Sequence, residues 1–160
     1  MNSIRLELDG WEKSITFSAC HILPGHEKCG RMHGHNYAIH LRIEGEPKGK
    51  GVVYDFVPIK TKLKEIAERF DHGVLIPAGS ENVNIKEDEV LFEIEEDRYI
   101  FPKTDSIIMD LERTTAEYLA KYILEKIIEE MRFPDNIKAV EIGVDESRGQ
   151  GAWARRELDE

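Results

Sequence analysis

The chain has 160 residues, 41% hydrophobic and 34% charged, with a formal net charge of −10. That length suits one domain able to bury a real core, and the composition suits a soluble globular protein. The acidic balance argues against binding nucleic acid through bulk charge, although a local group of Lys and Arg can still meet a small anionic substrate.

No apolar run approaches the ~18 residues of a membrane span. The opening residues MNSIRLELDG lack the basic-then-apolar pattern of a secretion signal. The two cysteines make no disulfide framework. A cytoplasmic, reduced setting is therefore expected, and a free thiol survives there.

In chain order, residues 3–8 read as a strand and Asp9-Gly10 as a turn. Residues 14–22 alternate, with Ile15, Phe17, Ala19 and His21 on one face. Residues 23–32 form a loop rich in Pro, Gly and charge. Residues 33–45 alternate again, placing His33, His35, Tyr37, Ile39, Leu41 and Ile43 together. Pro47 and three nearby glycines mark a turn, and Val52–Phe56 reads as a short strand. A helix is predicted from near Asp55, with Pro58 in its first turn. Its apolar stripe is Ile59, Leu63, Ile66, Ala67 and Phe70, and Asp71-His72-Gly73 ends it.

Residues 89–101 read as a hairpin around Glu96-Asp97. A second helix is predicted from Thr114, with Glu117 completing a capping box. Its stripe is Ala116, Leu119, Ala120, Ile123, Leu124, Ile127, Ile128 and Met131, and Pro134 stops it. Residues 137–146 and 152–158 read as the last two strands. The order predicts an α+β domain spanning 1–160, with two helices on one face of an antiparallel sheet.

Chemistry concentrates in residues 17–37, FSACHILPGHEKCGRMHGHNY, which hold four of the six histidines and both cysteines. Alternate strand residues point the same way, about 6.5 Å apart. His33 and His35 can therefore converge on one ion, at about 2.0–2.1 Å from each nitrogen. His21 ends a second apolar face. If the two strands pair antiparallel, all three imidazoles meet at one sheet edge. Three nitrogens with a fourth position open is the arrangement of a catalytic zinc. The bland alternative is that H-x-H arises by chance. His40 falls on the other face, and Cys20, out of phase with His21, is expected to pack as a small hydrophobe. His26 is expected to be exposed.

Cys29 lies in the loop between the ligand-bearing strands, flanked by Lys28 and Arg31. Neighbouring cations favour a thiolate, which can serve as nucleophile, general base or fourth ligand. The alternative is an inert loop cysteine. Asp71-His72 can be a proton relay, or simply a histidine favoured at a helix C-terminus. Glu146 is in phase with Val140, Ile142 and Val144, so a polar group again ends an apolar face, unless the strand merely ends in solvent.

These residues resemble the 6-pyruvoyl-tetrahydropterin synthase family, including its 6-carboxy-tetrahydropterin synthase (QueD-type) branch. The matching segments, in family order, are FSACH at 17–21, CGRMHGHNY at 29–37, GVVYDF at 51–56, FDHGVL at 70–75, TTAEYLA at 114–120 and VDES at 144–147. The resemblance implies a tunnelling fold: a four-stranded antiparallel sheet with two helices, assembling into barrel-like rings that commonly stack as homohexamers with sites at subunit interfaces. It implies zinc on His21, His33 and His35, Cys29 as general base, and Asp71 with His72 as proton relay. Glu146, together with Thr115, is assigned to the pterin.

The implied reaction is triphosphate elimination from 7,8-dihydroneopterin triphosphate, giving a 6-pyruvoyl- or 6-carboxy-tetrahydropterin. The short Cys-x-x-x-His-Gly-His spacing looks more like the carboxy branch. Some relatives use a glutamate in place of the cysteine and cleave dihydroneopterin to 6-hydroxymethyl-dihydropterin. Glu27 leaves that activity open. The acidic segment 80–103 is longer than compact members carry and has no assigned role. Two rival classes are a zinc-stabilised assembly module without chemistry and a zinc hydrolase.

Overall fold

The alternation in the two halves of the histidine-rich segment resolves into two paired strands. The computed structural model describes residues 2–158. Its strands are β1 (Ile4–Leu8), β2 (Thr16–His21), β3 (His33–Gly45), β4 (Gly73–Pro77), β5 (Val83–Ile85), β6 (Glu89–Ile94), β7 (Asp97–Pro102), β8 (Ser106–Met109), β9 (Ile137–Ser147) and β10 (Gln150–Glu157). Its helices are α1 (Phe56–Phe70) and α2 (Ala116–Glu130). β2 and β3 pair antiparallel with His21 directly opposite His33 and Ala19 opposite His35.

The main sheet runs β10-β9-β3-β2-β4-β8, and β1 also pairs with β3. β10, β9, β3 and β2 pair antiparallel in that order. The sheet as a whole is seven-stranded and mixed, because β4 pairs parallel with β2 and β8 parallel with β4. This corrects the four-stranded, wholly antiparallel expectation. The runs VLIP and SIIM are short and continuously apolar, so no period-2 signal marks them as strands.

Both helices pack on one face of this sheet. The stripes of α1 and α2 share a single buried cluster with Phe17, Tyr37, Ile39, Leu41, Ile43, Val140, Ile142 and Val144. Every predicted stripe residue of α1 is buried. In α2 the first six are buried, and Ile128 and Met131 pack partly buried at the end. Each large apolar side chain so buried contributes about 1.5–3 kcal/mol before chain entropy is charged.

Two boundaries move. Val52–Phe56 forms no strand beyond a single bridge between Lys48 and Val52. The Asp55 carboxylate accepts the Val57 N–H at 2.9 Å and caps α1, which draws the chain into the helix instead. The cap of α2 is Thr115, whose hydroxyl accepts the Tyr118 N–H, rather than Thr114. Glu117 falls one position too early for the reciprocal capping bond, although an acid in the first turn still suits the helix dipole.

The acidic segment 80–103 holds the small antiparallel sheet β5-β6-β7. Ile94 pairs with Asp97, so the turn is Glu95-Glu96, one residue earlier than expected, with Glu95 at φ +54°. The small sheet has its own core, where Val90 and Phe92 bury Ile76 and Ile22. The segment thus packs on the residue that follows His21.

A candidate metal centre and its surroundings

β2 delivers His21 and β3 delivers His33 and His35, because antiparallel pairing sets the ends of both apolar faces side by side. The ligand nitrogens of the three lie within 4.8 Å of one another. Cys29 Sγ does not join that group.

Hydrogen bonds fix the tautomers. Nδ1 of His21 lies 2.9 Å from the Thr114 carbonyl oxygen, so it carries the proton and donates. Nδ1 of His33 lies 2.8 Å from the Arg31 carbonyl oxygen and donates likewise. Each Nε2 is then a bare lone pair, yet the two Nε2 atoms face each other at 3.1 Å. Two lone pairs at that distance repel unless a cation lies between them. Nε2 of His35 is buried and has no hydrogen-bond partner. Backbone carbonyls that orient ligand imidazoles in this way are the usual outer support of a metal site. The donor set is all-nitrogen and fits zinc.

Electrostatics agree. Burial pushes the pKa of His21 down to about 4, and the neighbouring His33 and His35 lower it further against the Thr114 hydrogen bond. Burial also lowers His35, while the Glu146 carboxylate works the other way. Imidazoles that resist protonation are free to ligate. Tyr37, fully buried beneath the site, stacks on Phe17 at 4.7 Å and sets its hydroxyl 3.3 Å from His21 Nδ1.

Asp71 caps α1, and its Oδ2 accepts from His72 Nδ1 at 2.6 Å while its Oδ1 accepts the Ser18 N–H at 2.7 Å. The His72 N–H donates to the Ser18 carbonyl at 2.7 Å. These contacts tie the pair to β2, and they lower the pKa of Asp71, the Ser18 bond first. The His72 side chain is 84% exposed. It lines a 490 Å³ surface pocket with His35, Asn36, Cys20 and Asp105. Cys20 is thus half-exposed at a pocket wall rather than packed in the core.

Cys29 sits in a loop of successive turns, held by Leu23 N–H to Cys29 O at 2.8 Å and Gly30 N–H to His26 O at 2.8 Å. It does not line the His72 pocket within the chain. His26 and Glu27 are exposed on the same loop. Glu146 lies near the end of β9, within electrostatic reach of His35 and Tyr37. Thr115 caps α2 and directly follows Thr114, the carbonyl partner of His21. Sequence reasoning passed over that carbonyl, since a backbone oxygen has no residue signature.

A family model described as 6-pyruvoyl tetrahydropterin synthase matches residues 11–157. The chain belongs to the 6-pyruvoyl tetrahydropterin synthase family. Within it, the chain is 35% identical to a Methanocaldococcus jannaschii protein provisionally named 6-carboxy-5,6,7,8-tetrahydropterin synthase, over 96% of this chain and 98% of the relative. It is 28% identical to the 6-carboxy-5,6,7,8-tetrahydropterin synthase of Haemophilus influenzae, over 72% and 79%. The crystal structure of the Plasmodium vivax 6-pyruvoyl tetrahydropterin synthase aligns with a TM-score of 0.89 at 29% identity, covering 99% of this chain and all of that one. Structures of that synthase with a catalytic glutamate replaced by alanine or cysteine align with TM-scores of 0.87 and 0.88. Among the described residues no helix is long and apolar enough to cross a membrane.

Proposed function

We propose that this member of the family is a zinc-dependent lyase that eliminates triphosphate from 7,8-dihydroneopterin triphosphate, giving 6-pyruvoyl-tetrahydropterin or, with side-chain cleavage that also releases acetaldehyde, 6-carboxy-tetrahydropterin. The observation that carries the reading is the pair of Nε2 lone pairs held 3.1 Å apart on His21 and His33, with the unpartnered Nε2 of His35 beside them. Those three residues would hold the ion. Zinc, when bound, supplies Lewis-acid polarisation of the substrate's side-chain oxygens.

The remaining steps belong to the chain. Cys29 accepts a proton from the pterin side chain as general base. His72, its Nδ1 held by Asp71, returns a proton through Nε2. Glu146 and Thr115 hold the pterin ring, the carboxylate meeting its amino-bearing edge. Cys29 does not line the pocket that His72 lines within one subunit, which supports sites completed across subunits in a homohexamer. The carboxy product is favoured by the names of the curated relatives. The substrate is a small molecule, with neither nucleic acid nor membrane as partner, and the setting is cytoplasmic.

A second reading is side-chain cleavage of dihydroneopterin to 6-hydroxymethyl-dihydropterin, with Glu27 as base. It is favoured by the exposed carboxylate of Glu27 on the Cys29 loop and by the catalytic glutamate of the Plasmodium vivax synthase.

Incubating zinc-loaded protein with dihydroneopterin triphosphate and identifying products by mass spectrometry decides between these. A pyruvoyl or carboxy product supports the lyase reading, and hydroxymethyl-dihydropterin supports the second. No turnover with zinc bound rejects the lyase reading, and no cleavage of dihydroneopterin offered in parallel rejects the second.

A further inference from the structure

The opposite face of the sheet carries a polar network that the reaction does not use. Trp11 Nε1–H donates to Asp145 Oδ2 at 2.9 Å. His40 Nε2 lies 3.0 Å from the same oxygen. The Gly10 N–H donates to His40 Nδ1 at 3.0 Å, which leaves Nε2 as the donor of that ring. One carboxylate oxygen therefore accepts from two side chains carried by different elements, the β1–β2 turn and β3. His40 is 8% exposed and lies against the ring of Trp153. The Asp145 carboxylate is also pressed on the β10 backbone, since a Cβ at Gly151 would stand 2.3 Å from Oδ1.

The position of this network matters because of the residue that follows. The β3–β9 ladder ends at the pair Ala38–Asp145. On the other side β10 pairs Gly151 with Asp145 and Gln150 with Ser147, with a register shift between Gln150 and Gly151. Glu146 is thus the bulged residue, without a cross-strand partner on either side. A bulge re-aims a side chain, and its direction depends on what fixes the flanking residues. Here the flanking residue is Asp145, fixed by side chains from β3 and from the turn before β2.

We infer that Asp145, His40 and Trp11 are positioning residues that aim Glu146 at the substrate through the β9 bulge. The inference rests on the reading of Glu146 as a pterin ligand. An anchor held equally in ground and transition states affects KM rather than kcat. Losing a hydrogen bond from a charged anchor costs roughly 10–100-fold in affinity.

The test measures biopterin affinity by fluorescence, steady-state kinetics, and zinc content. Asp145→Ala and His40→Phe are expected to weaken biopterin binding roughly tenfold or more, raise KM to match and leave kcat within about twofold, with zinc still bound. Asp145→Asn keeps an acceptor oxygen and is expected to restore most of the affinity. Trp11→Phe keeps the ring and removes one N–H. It carries the test if the stronger variants do not fold, with an expected several-fold loss. Wild-type affinity in these variants, alongside weak binding by Glu146→Gln, overturns the positioning role alone. Wild-type affinity in Glu146→Gln overturns the reading beneath it as well.

Discussion

The carbonyl oxygen of Thr114 lies 2.9 Å from Nδ1 of His21, joining the start of α2 to the end of β2. That bond turns the His21 lone pair toward His33 and makes the helix N-terminus part of the support of the candidate metal site. Removing a ligand should therefore remove the metal without removing the fold. His33→Ala and His35→Ala are expected to drop bound zinc well below one per chain, measured by atomic emission after dialysis, while circular dichroism stays native. Full zinc occupancy in either variant would refute the ligand set.

A metal held by His21, His33 and His35 would bind only the folded state. With free zinc at about 100 times its Kd, linkage adds about 2.7 kcal/mol. For a chain of this size that is roughly a 5–10 °C rise in Tm. Calorimetry with and without chelator measures it, and an unchanged Tm would argue that no ion is held.

The metal-free protein should weaken in mild acid. His21 has its pKa depressed to about 4 in the folded chain, and His35 is depressed in the same direction by burial. Both have an ordinary value of 6.5 when unfolded. Between those values the unfolded chain binds more protons, so stability falls as pH drops from about 6.5 toward 4. For His21 alone the loss approaches roughly 3 kcal/mol by pH 4. Urea midpoints of chelated protein from pH 7 to 4.5 read this slope above the range where most carboxylates titrate. A flat profile there would contradict it.

The imidazole convergence was legible because parity is local: His21, His33 and His35 end apolar faces that repeat at every second residue. The α1 stripe was legible for the same reason. What escaped reading depends on contacts distant in sequence. β4 and β8 become strands only by parallel pairing with β2 and with each other. Thr114 and Thr115 offer equivalent hydroxyls in the sequence, but Thr114 lies against His21 Nδ1 and Thr115 caps α2. Cys20 follows the parity rule, but the face it points to borders a pocket rather than a core.

The two cysteines should separate cleanly. Cys29→Ala is expected to cost about 100-fold or more in turnover, the scale of a lost general base, with zinc and assembly retained. Cys20→Ala leaves the proposed proton acceptor, Cys29, in place and is expected to stay within a few-fold of wild type. Steady-state assays on dihydroneopterin triphosphate compare them, and the reverse order of damage would move the base from one thiol to the other.

His72 adopts φ +59°, a left-handed conformation that costs a residue with a Cβ about 1–2 kcal/mol. The hydrogen bonds of its own N–H to Ser18 O and of its ring to Asp71 hold it there. Strain of this kind persists where the surrounding structure over-determines a useful orientation. Comparing His72→Ala with His72→Gly isolates it, because both lose the imidazole and only the alanine keeps the Cβ penalty. The glycine variant is expected to be more stable than the alanine variant by about 1 kcal/mol in urea denaturation. Both should lose most of their turnover while binding zinc normally, since neither touches His21, His33 or His35. Equal stabilities would show that the backbone at residue 72 relaxes freely, and retained turnover would remove His72 from the proton path.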